Sequence, residues 1–345
     1  MTGRTLRLTS RIRRRSSPAK PGRGATPKVV ALGGGMGLSA SLAALRRITG
    51  DLTAVVTVAD DGGSSGRLRD ELGVLPPGDL RKALAALCGD DDWGQTWARV
   101  IQHRFQSPGE MNGHAVGNLL IVALWEQLGD HVQALDLVGK LLGAHGRVLP
   151  MSAVPLELQA EVRGDDPARP DDIRTIRGQA NVALTLGEVQ SVHVVPHDPP
   201  AVPEVVAAVL DADWVVLGPG SWFSSVIPHL LVPELLDALI ETKARKVLSL
   251  NLAPQPGETD GFSPQRHLEV LGRHAPKLAL DVVLADEAAV PDRDELIDAA
   301  KERFGAAVEL APVARPDGTP RHDPELLAAA YDRIFRMHGR IGPWR

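Results

Sequence analysis

The chain has 345 residues, of which 43% are hydrophobic and 23% charged, which is long enough for one large or two modest domains with a buried core. Only 12 residues are aromatic, which argues against a single-stranded nucleic-acid binder built on stacking. The single cysteine, Cys88, excludes an intramolecular disulfide and a multi-cysteine metal site, and favours a reducing, cytoplasmic setting. No run of 18 uncharged apolar residues occurs, so the sequence predicts no membrane-spanning helix.

The net charge of -5 conceals an asymmetry between the first 27 residues and the rest of the chain. Residues 1–27 carry eight Lys or Arg and no acid, which leaves -13 on residues 28–345. We interpret residues 1–27 as a basic disordered leader, because their prolines and glycines prevent a sustained amphipathic helix. An organellar transit peptide and a nucleic-acid-binding arm are the alternatives. The negative charge on the rest makes a nucleic-acid partner unfavourable.

From residue 28 onward, short β-branched runs alternate with longer helical stretches, which is typical of a mostly parallel α/β sheet. Strands are predicted near 28–32, 53–58, 192–195, 213–217, 246–250 and 281–285. Helices are predicted near 38–48, 79–88, 115–128, 131–142, 203–211, 222–241, 264–273, 292–303 and 324–337. Residues 147–195 alternate apolar and polar side chains and predict an antiparallel β insertion. We expect one domain over residues 28–345 that contains this insertion.

The first predicted strand runs into the glycine-rich loop Gly33–Gly37 and then into a helix. Free N–H groups at a helix N-terminus bind anions, most often phosphate. Gly35, Gly37 and Ala40 have the spacing of a dinucleotide-binding loop. A glycine turn needed only for packing the strand against the helix is the alternative. Gly34, Gly35 and Gly37 are therefore candidate phosphate-binding residues.

Two adjacent carboxylates, Asp60 and Asp61, follow the second predicted strand. Mg²⁺ takes one or two protein carboxylates together with ligand phosphates, so this pair is a candidate metal site. A flexible, amide-rich loop follows, and Arg67 and Arg69 are placed to clamp the same phosphates. Because neighbouring residues on a strand face opposite ways, a turn in which one aspartate only caps the loop is the alternative. The candidate ligand residues of this segment are Gly63, Ser64, Arg67 and Arg69.

Further loops place charged or small residues at the starts of predicted helices. Asp79 lies at a helix N-cap with Arg81 in the first turn, where a cation opposes the helix dipole and a bound anion would compensate. His114 precedes an apolar helix and is a candidate acid, base or phosphate donor, with a structural histidine as the alternative. The loop 218–221 repeats the pattern of a strand, a glycine turn and a helix, and the loop 251–259 follows the next strand similarly. These loops add the candidates Asp79, Arg81, His114, Asn118, Gly218, Gly220 and Ser221.

All these loops follow the carboxyl ends of predicted parallel strands, where open α/β sheets bind their ligands. We therefore expect one cleft to gather them. The sequence contains no G-x-S-x-G elbow, no G-x-x-x-x-G-K-[ST] loop and no H-E-x-x-H motif, which excludes the common hydrolase, P-loop and zincin mechanisms.

At these motifs the sequence resembles the gluconeogenesis-factor branch of the CofD-like family of 2-phospho-L-lactate transferases. The resemblance depends on Val55–Glu71, on Pro76–Arg81, on Gln102–Phe105 and on three further segments, Gly113–Leu119, Gly218–Ser221 and Gln255–Thr259. It extends from about Lys28 to at least Asp323.

The resemblance implies a Rossmann-like, doubly wound fold, a cytoplasmic setting, and a role in bacterial cell shape and central carbon balance. Members of this branch are associated with binding UDP-sugars, notably UDP-N-acetylglucosamine. The transferase branch moves a phospholactyl-type group from a nucleotide diphosphate donor with the help of Mg²⁺, and its metal-associated aspartate matches Asp60 or Asp61. The resemblance also puts a ligand-contacting arginine at Arg321, with a surface ion pair to Asp323 as the alternative.

Two positions depart from the pattern of the family. The usual G-G-G-T-G loop has Met36 in place of threonine, which removes a hydroxyl that could contact phosphate or cap the helix. The segment after Phe304 is shortened. If the aromatic residue usual at this position carries a hydroxyl to the ligand, Phe304 cannot replace that contact, because phenylalanine can only stack or pack.

Three functions remain open at this point. The first is a UDP-sugar-binding regulatory protein without turnover, whose partners would be the sugar nucleotide and a protein effector, with a homo-oligomer left open. The second is a Mg²⁺-dependent transferase acting on a nucleotide diphosphate donor. The third is an NAD(P) oxidoreductase, against which the Asp-Asp-Gly-Gly-Ser-Ser sequence after the second strand argues, since a ribose-binding turn normally stands there.

Overall fold

The computed structural model describes residues 26–182, 184–185 and 187–339. Apart from its last two residues, the predicted basic leader lies outside this range. The described residues form ten strands: β1 (Lys28–Gly33), β2 (Asp51–Val56), β3 (Arg147–Pro150), β4 (Glu157–Arg163), β5 (Ile173–Arg177), β6 (Glu188–Val195), β7 (Trp214–Leu217), β8 (Arg245–Ser249), β9 (Val282–Ala285) and β10 (Ala307–Leu310).

The helices of the same residues fall between these strands. They are α1 (Gly35–Leu45), α2 (Gly63–Leu72), α3 (Gly78–Leu87), α4 (Asp92–Gln102), α5 (Val116–Leu128), α6 (His131–Leu142), α7 (Gln179–Val182), α8 (Pro203–Asp211), α9 (Pro233–Glu241), α10 (Pro264–His274), α11 (Arg293–Phe304) and α12 (Pro324–Gly339). A π-helix (Trp222–Val226) and two 3₁₀ helices (Ile227–Leu231 and Glu287–Ala289) complete the set.

Seven of the strands form a fully parallel sheet in the order β3-β2-β1-β7-β8-β9-β10. Counted along this sheet alone, the order is 3-2-1-4-5-6-7, which is the doubly wound order with a seventh strand added. The strand order reverses between β1 and β7. Because right-handed crossovers that run in opposite directions along a sheet lie on opposite faces, the helices cover both faces. The predicted α/β class with a doubly wound, mostly parallel sheet is confirmed.

The remaining strands form a separate antiparallel sheet in the order β5-β4-β6, spanning residues 157–195. The predicted antiparallel insertion is therefore present, but β3 at its expected start pairs with β2 in the parallel sheet. The predicted strand at 192–195 belongs to β6 in the insertion. A four-residue strand such as β3 is too short for alternation to distinguish its sheet.

The helices depart from the sequence expectations at three places. Residues 63–72, expected as a flexible loop, form α2, and α4 has no counterpart among the predicted helices. The long helix expected over 222–241 is interrupted, since Pro228 and Pro233 each occupy a first-turn position of a new helix and supply no backbone N–H to the turn before. Within the described residues, no single helix is long and apolar enough to cross a bilayer. One pair of helices, 222–231 and 233–241, reaches the required length and hydropathy only when taken together, and the two are bent by 80°.

Candidate functional site

A cleft of about 640 Å³ lies at the carboxyl ends of β1, β2, β7 and β8. It therefore occupies the point where the strand order reverses, as expected for ligand sites in doubly wound sheets. Its walls are the loop 34–37, the side chains Asp60, Asp79 and Lys82, the loop 219–221, the loop 251–256 and a segment from Arg315 to Pro324. Six separate parts of the chain thus enclose one space.

The glycine loop after β1 forms the floor of the cleft. Gly34 is the N-cap of α1, and Gly35 adopts φ +59°, which a residue with a side chain would reach only under strain. A Cβ on Gly37 would come within 2.2 Å of the Pro219 carbonyl oxygen, so the two glycine loops touch directly. Glycine at position 37 is therefore required by this contact, whether or not a ligand binds there.

Asp79 lies in the first turn of α3, and the prediction that it is the N-cap is wrong, since Pro77 holds that position. Its side chain reaches the N-terminus of α1, where the glycine loop predicts an anion. Its Oδ2 accepts a hydrogen bond of 2.9 Å from Gly35 N, and its Oδ1 accepts one of 2.8 Å from Lys82 Nζ. The carboxylate is buried, while Lys82 is half-buried and lines the cleft. The structure thus holds a carboxylate at the N-terminus of α1 and a lysine ammonium beside it.

Asp60 and Asp61 lie in different surroundings. Asp60 lines the cleft, and its Oδ1 accepts a hydrogen bond from Gly62 N at 3.0 Å. Burial, and then the charge of Asp79, raise the pKa of the Asp60 carboxyl. Asp61 faces the antiparallel sheet, where its Oδ1 accepts a hydrogen bond of 2.9 Å from Ala180 N.

The cleft fits Mg²⁺ only as a partial site. No group of three or more His, Cys, Asp or Glu side chains suited to a metal exists among the described residues. Both oxygens of Asp79 already accept hydrogen bonds, which leaves Asp60 as the carboxylate facing the cleft. Since Mg²⁺ commonly takes one carboxylate and completes its shell with phosphate and water, Asp60 suits a cation that arrives with a phosphorylated ligand.

The loop after β7 is held by a side chain from the loop after β8. Gly220 N donates to Asn251 Oδ1 at 3.0 Å, and Asn251 Nδ2 donates to the Gly220 carbonyl oxygen at 2.8 Å. Gly220 and Ser221 line the cleft, whereas Gly218 adopts φ +70° at the turn behind them. Asn251 was not among the candidate site residues, although its place directly after a predicted strand was a usable signal.

The segment before α12 covers one side of the cleft. Arg321 is exposed and lines the cleft, and no carboxylate of the described residues lies within 4.0 Å of its guanidinium. Asp323, the expected surface partner, accepts hydrogen bonds from Glu325 N and Leu326 N at the start of α12. Beside Arg321, His322 is only 8% exposed, and burial lowers the pKa of its imidazole to about 4.

The cleft therefore contains eight of the seventeen candidate residues: Gly34, Gly35, Gly37, Asp60, Asp79, Gly220, Ser221 and Arg321. The other nine lie outside its lining: Asp61, Gly63, Ser64, Arg67, Arg69, Arg81, His114, Asn118 and Gly218. Arg69, for example, donates to the Leu156 carbonyl oxygen at 2.7 Å. Ligand binding by these nine residues stays a prediction, and the cleft does not explain their positions.

The cleft also contains residues that were not among the candidates, including Met36, Lys82, Ser225, Asn251, Arg315 and His322. Met36, which replaces the usual threonine, is 67% exposed at the start of α1. Lys82 and Ser225 follow candidate residues by a few positions, so proximity in sequence was a signal for them. Phe304 is buried at the end of α11 and does not line the cleft.

Comparison with known proteins agrees with this architecture. Residues 29–316 match the family described as 2-phospho-L-lactate transferase CofD. The chain therefore belongs to the CofD family, and within it to the gluconeogenesis-factor branch. It is 54% identical over 312 residues to a provisionally named gluconeogenesis factor of Mycobacterium tuberculosis, covering 90% of each chain.

More distant relatives and a solved structure extend the similarity. The gluconeogenesis factor of Listeria monocytogenes is 36% identical over 317 residues, covering 88% of this chain and 94% of that protein. A crystal structure of a UPF0052 family member from Bacillus halodurans superposes with a TM-score of 0.79 at 32% identity, covering 89% of this chain and 99% of that one. The fold and the branch of the family are thus shared over most of the chain.

Proposed function

We propose that this protein is a cytoplasmic regulatory protein that binds a nucleotide sugar of the UDP-N-acetylglucosamine type, and that it links gluconeogenic growth to cell shape and cell-wall precursor balance. The observation that carries the proposal is the cleft at the reversal of strand order, enclosed by two glycine loops, the Asn251 loop and the Arg321 segment. Doubly wound folds bind nucleotides at this position.

The charges in the cleft suit a diphosphate. Lys82, Arg315 and Arg321 line it as cations, against the carboxylates of Asp60 and Asp79. Guanidinium groups bind phosphate in a bidentate manner, and a diphosphate presents several acceptor oxygens to them. Asp60 would add a cation-binding oxygen to the same ligand. The Ser221 hydroxyl, and the N–H of Asn251 Nδ2 that does not bond to Gly220, would be available for ribose or sugar hydroxyls.

A Mg²⁺-dependent transferase is the second candidate function. It is favoured by Asp60, whose carboxylate faces the cleft without a basic partner within 4.0 Å among the described residues. In that function Asp60 would hold Mg²⁺ against the donor diphosphate, where the ion would neutralise developing charge. Lys82 and Arg321 would orient the phosphates.

Calorimetric titration separates these functions. UDP-N-acetylglucosamine, UDP-glucose, NAD and GDP are each titrated into the protein with and without Mg²⁺, and the mixtures are assayed for product. We expect saturable binding of the UDP-sugars without turnover. Transfer of a phosphoryl or phospholactyl group to an added alcohol would instead establish the transferase, and preferential binding of NAD would favour an oxidoreductase.

Asn251→Ala tests whether the ligand occupies this cleft. The substitution removes both hydrogen bonds to Gly220, so the loop 218–221 loses its fixed position and ligand affinity should fall by about tenfold, the equivalent of about 1.4 kcal/mol. Asn251→Asp keeps the acceptor for Gly220 N but places a negative charge beside the Gly220 carbonyl oxygen and the diphosphate, and should lose at least as much affinity. Unchanged affinity in a folded Asn251→Ala protein would locate the ligand elsewhere.

A further inference from the structure

Four of the candidate residues that do not line the cleft form one buried hydrogen-bonded group. Arg81 Nε donates to Asn118 Oδ1 at 2.9 Å, and Asn118 Nδ2 donates to Ser64 Oγ at 3.0 Å. Ser64 Oγ lies 3.1 Å from His114 Nδ1. The group connects α2, α3 and the start of α5, and none of its members belongs to the cleft lining.

The buried arginine of this group lacks a counter-ion. Arg81 is 3% exposed, and no carboxylate among the described residues lies within 4.0 Å of its guanidinium. Its one side-chain partner is neutral, although a guanidinium has five N–H donors. Burial and the charge of Arg104 lower the pKa of Arg81 to about 10, although Asp79 and Asp60 act in the opposite direction. A buried charge without a contacting ionic partner is costly, so a bound anion would stabilise the guanidinium further.

The hydrogen bonds also orient His114 as a donor. Ser64 Oγ accepts from Asn118 Nδ2 and, at 3.4 Å, from Ala115 N, so its own proton goes to His114 Nδ1. The opposite ring nitrogen, Nε2, then carries the proton of the neutral imidazole. Burial lowers the pKa of His114, as do Arg67 and Arg104, while Glu71 and Glu110 act in the opposite direction.

Two exposed arginines flank this group. Arg67 donates to the carbonyl oxygens of Glu110 and Asn112, and Arg104 donates to that of Gly113 at 2.8 Å. Neither has a carboxylate within 4.0 Å among the described residues. An isolated antiparallel bridge between residues 104 and 115 fixes Arg104 next to His114. Three guanidinium groups and an imidazole therefore converge near the loop 105–113.

We propose that Arg67, Arg81, Arg104 and His114 form a second ligand site, separate from the cleft, that binds the phosphoryl group of a phosphate monoester. A phosphoryl group offers three acceptor oxygens and about two negative charges, which match several forked donors better than a single carboxylate does. Arg67 and Arg104 provide the solvent-facing side of the site, and Arg81 lies deeper. This site goes beyond the proposed function and does not depend on it.

The test uses inorganic phosphate as the probe, titrated into the full chain and followed by ³¹P line broadening at constant ionic strength. Arg104→Gln removes an exposed guanidinium and should weaken phosphate binding at least tenfold. Arg99→Gln, the same change at an exposed arginine of α4 five residues earlier, is the matched control and should bind as the wild type does. Arg81→Lys keeps the buried charge without the planar fork and should also weaken binding.

Circular dichroism checks that each variant is folded. Arg321→Ala identifies phosphate that binds in the cleft instead, because it removes a cleft guanidinium that is not part of the proposed site. Loss of phosphate binding in Arg321→Ala, with binding retained in Arg104→Gln, would put phosphate in the cleft and overturn the proposal. Absence of saturable binding to the wild type up to about 10 mM phosphate, which means binding weaker than about -2.7 kcal/mol, would overturn it as well.

Discussion

Asp60 and Asp61 are adjacent in the chain, yet their side chains serve different parts of the molecule. Asp60 faces the cleft, whereas Asp61 accepts a hydrogen bond from Ala180 N beside the antiparallel sheet. Successive side chains of an extended segment point to opposite sides. A cation that arrives with a phosphorylated ligand would therefore meet Asp60 alone.

Asp60→Asn should remove the Mg²⁺ response of ligand binding, because an amide oxygen carries no charge to attract the cation. Asp61→Asn is the matched control, since it keeps an acceptor for Ala180 N and should preserve the response. Affinity for UDP-N-acetylglucosamine is measured by calorimetry across Mg²⁺ concentrations. An undiminished response in Asp60→Asn would contradict the assignment.

Arg321 has the geometry of a residue that binds a ligand rather than a surface carboxylate. Arg321→Ala should cost about 2–5 kcal/mol of ligand binding, since a desolvated phosphate would be left unpaired. Arg321→Lys should recover only part of the loss, because an ammonium lacks the planar fork. Arg336→Ala, which breaks an exposed pair with Asp332 on α12, is the control and should bind normally. A loss below about threefold for Arg321→Ala would favour a surface role.

At the scale of elements, the π-helix Trp222–Val226 depends on a buried carboxylate from another loop. Glu258 accepts hydrogen bonds from Phe223 N at 3.1 Å and from Ser224 Oγ at 2.6 Å. Glu258 is 6% exposed, and burial raises the pKa of its carboxyl above the usual range. The loop 255–259 and the helix after the second glycine loop are thereby joined.

This raised pKa predicts a pH dependence of stability. Between the ordinary glutamate pKa of 4.5 and the raised value, the folded state holds a proton that the unfolded state has released. The free energy of unfolding therefore falls as pH rises through this window. Glu258→Gln, which cannot titrate, should show a smaller fall between pH 4 and 7 in urea unfolding. Glu241→Gln, an exposed glutamate at the end of α9, should retain the fall of the wild type, and equal slopes in all three proteins would contradict the prediction.

At the scale of the whole molecule, charge separates the beginning of the sequence from the rest. Residues 1–25 contain all eight cations of the basic segment, and residues 26–345 carry a net charge of -13. Phosphate contacts provide most of the affinity of nonspecific nucleic-acid binding. A chain that begins at residue 26 should therefore show no binding to a labelled DNA duplex by fluorescence anisotropy at 150 mM salt. Saturable binding by this chain would contradict the charge argument, and binding by the full chain alone would assign it to the basic segment.

Much of the fold was predictable because local patterns specify it. The strands β1, β7 and β8 and the helices α6 and α8 agree closely with their expected positions, since each has clear periodicity and a turn signal at its ends. The strand β3 and the helix α2 were not recovered, and neither were β10, α4 and α7. The strand β3 is too short for its pattern to decide its sheet, and the helix α2 begins with glycines and serines that favour a loop when taken alone.

The candidate site shows the same division. The class of fold, the glycine loops and the expectation that strand ends gather ligand residues were predictable, because these follow from spacing, turn chemistry and parallel pairing. Three features could be seen only in three dimensions: Asp61 faces away from the cleft, Asn251 holds Gly220, and Arg81, His114, Asn118 and Ser64 form a group of their own. The reason is physical: a sequence motif specifies which groups are available, whereas the packing of α2, α3 and α5 specifies which of these groups meet.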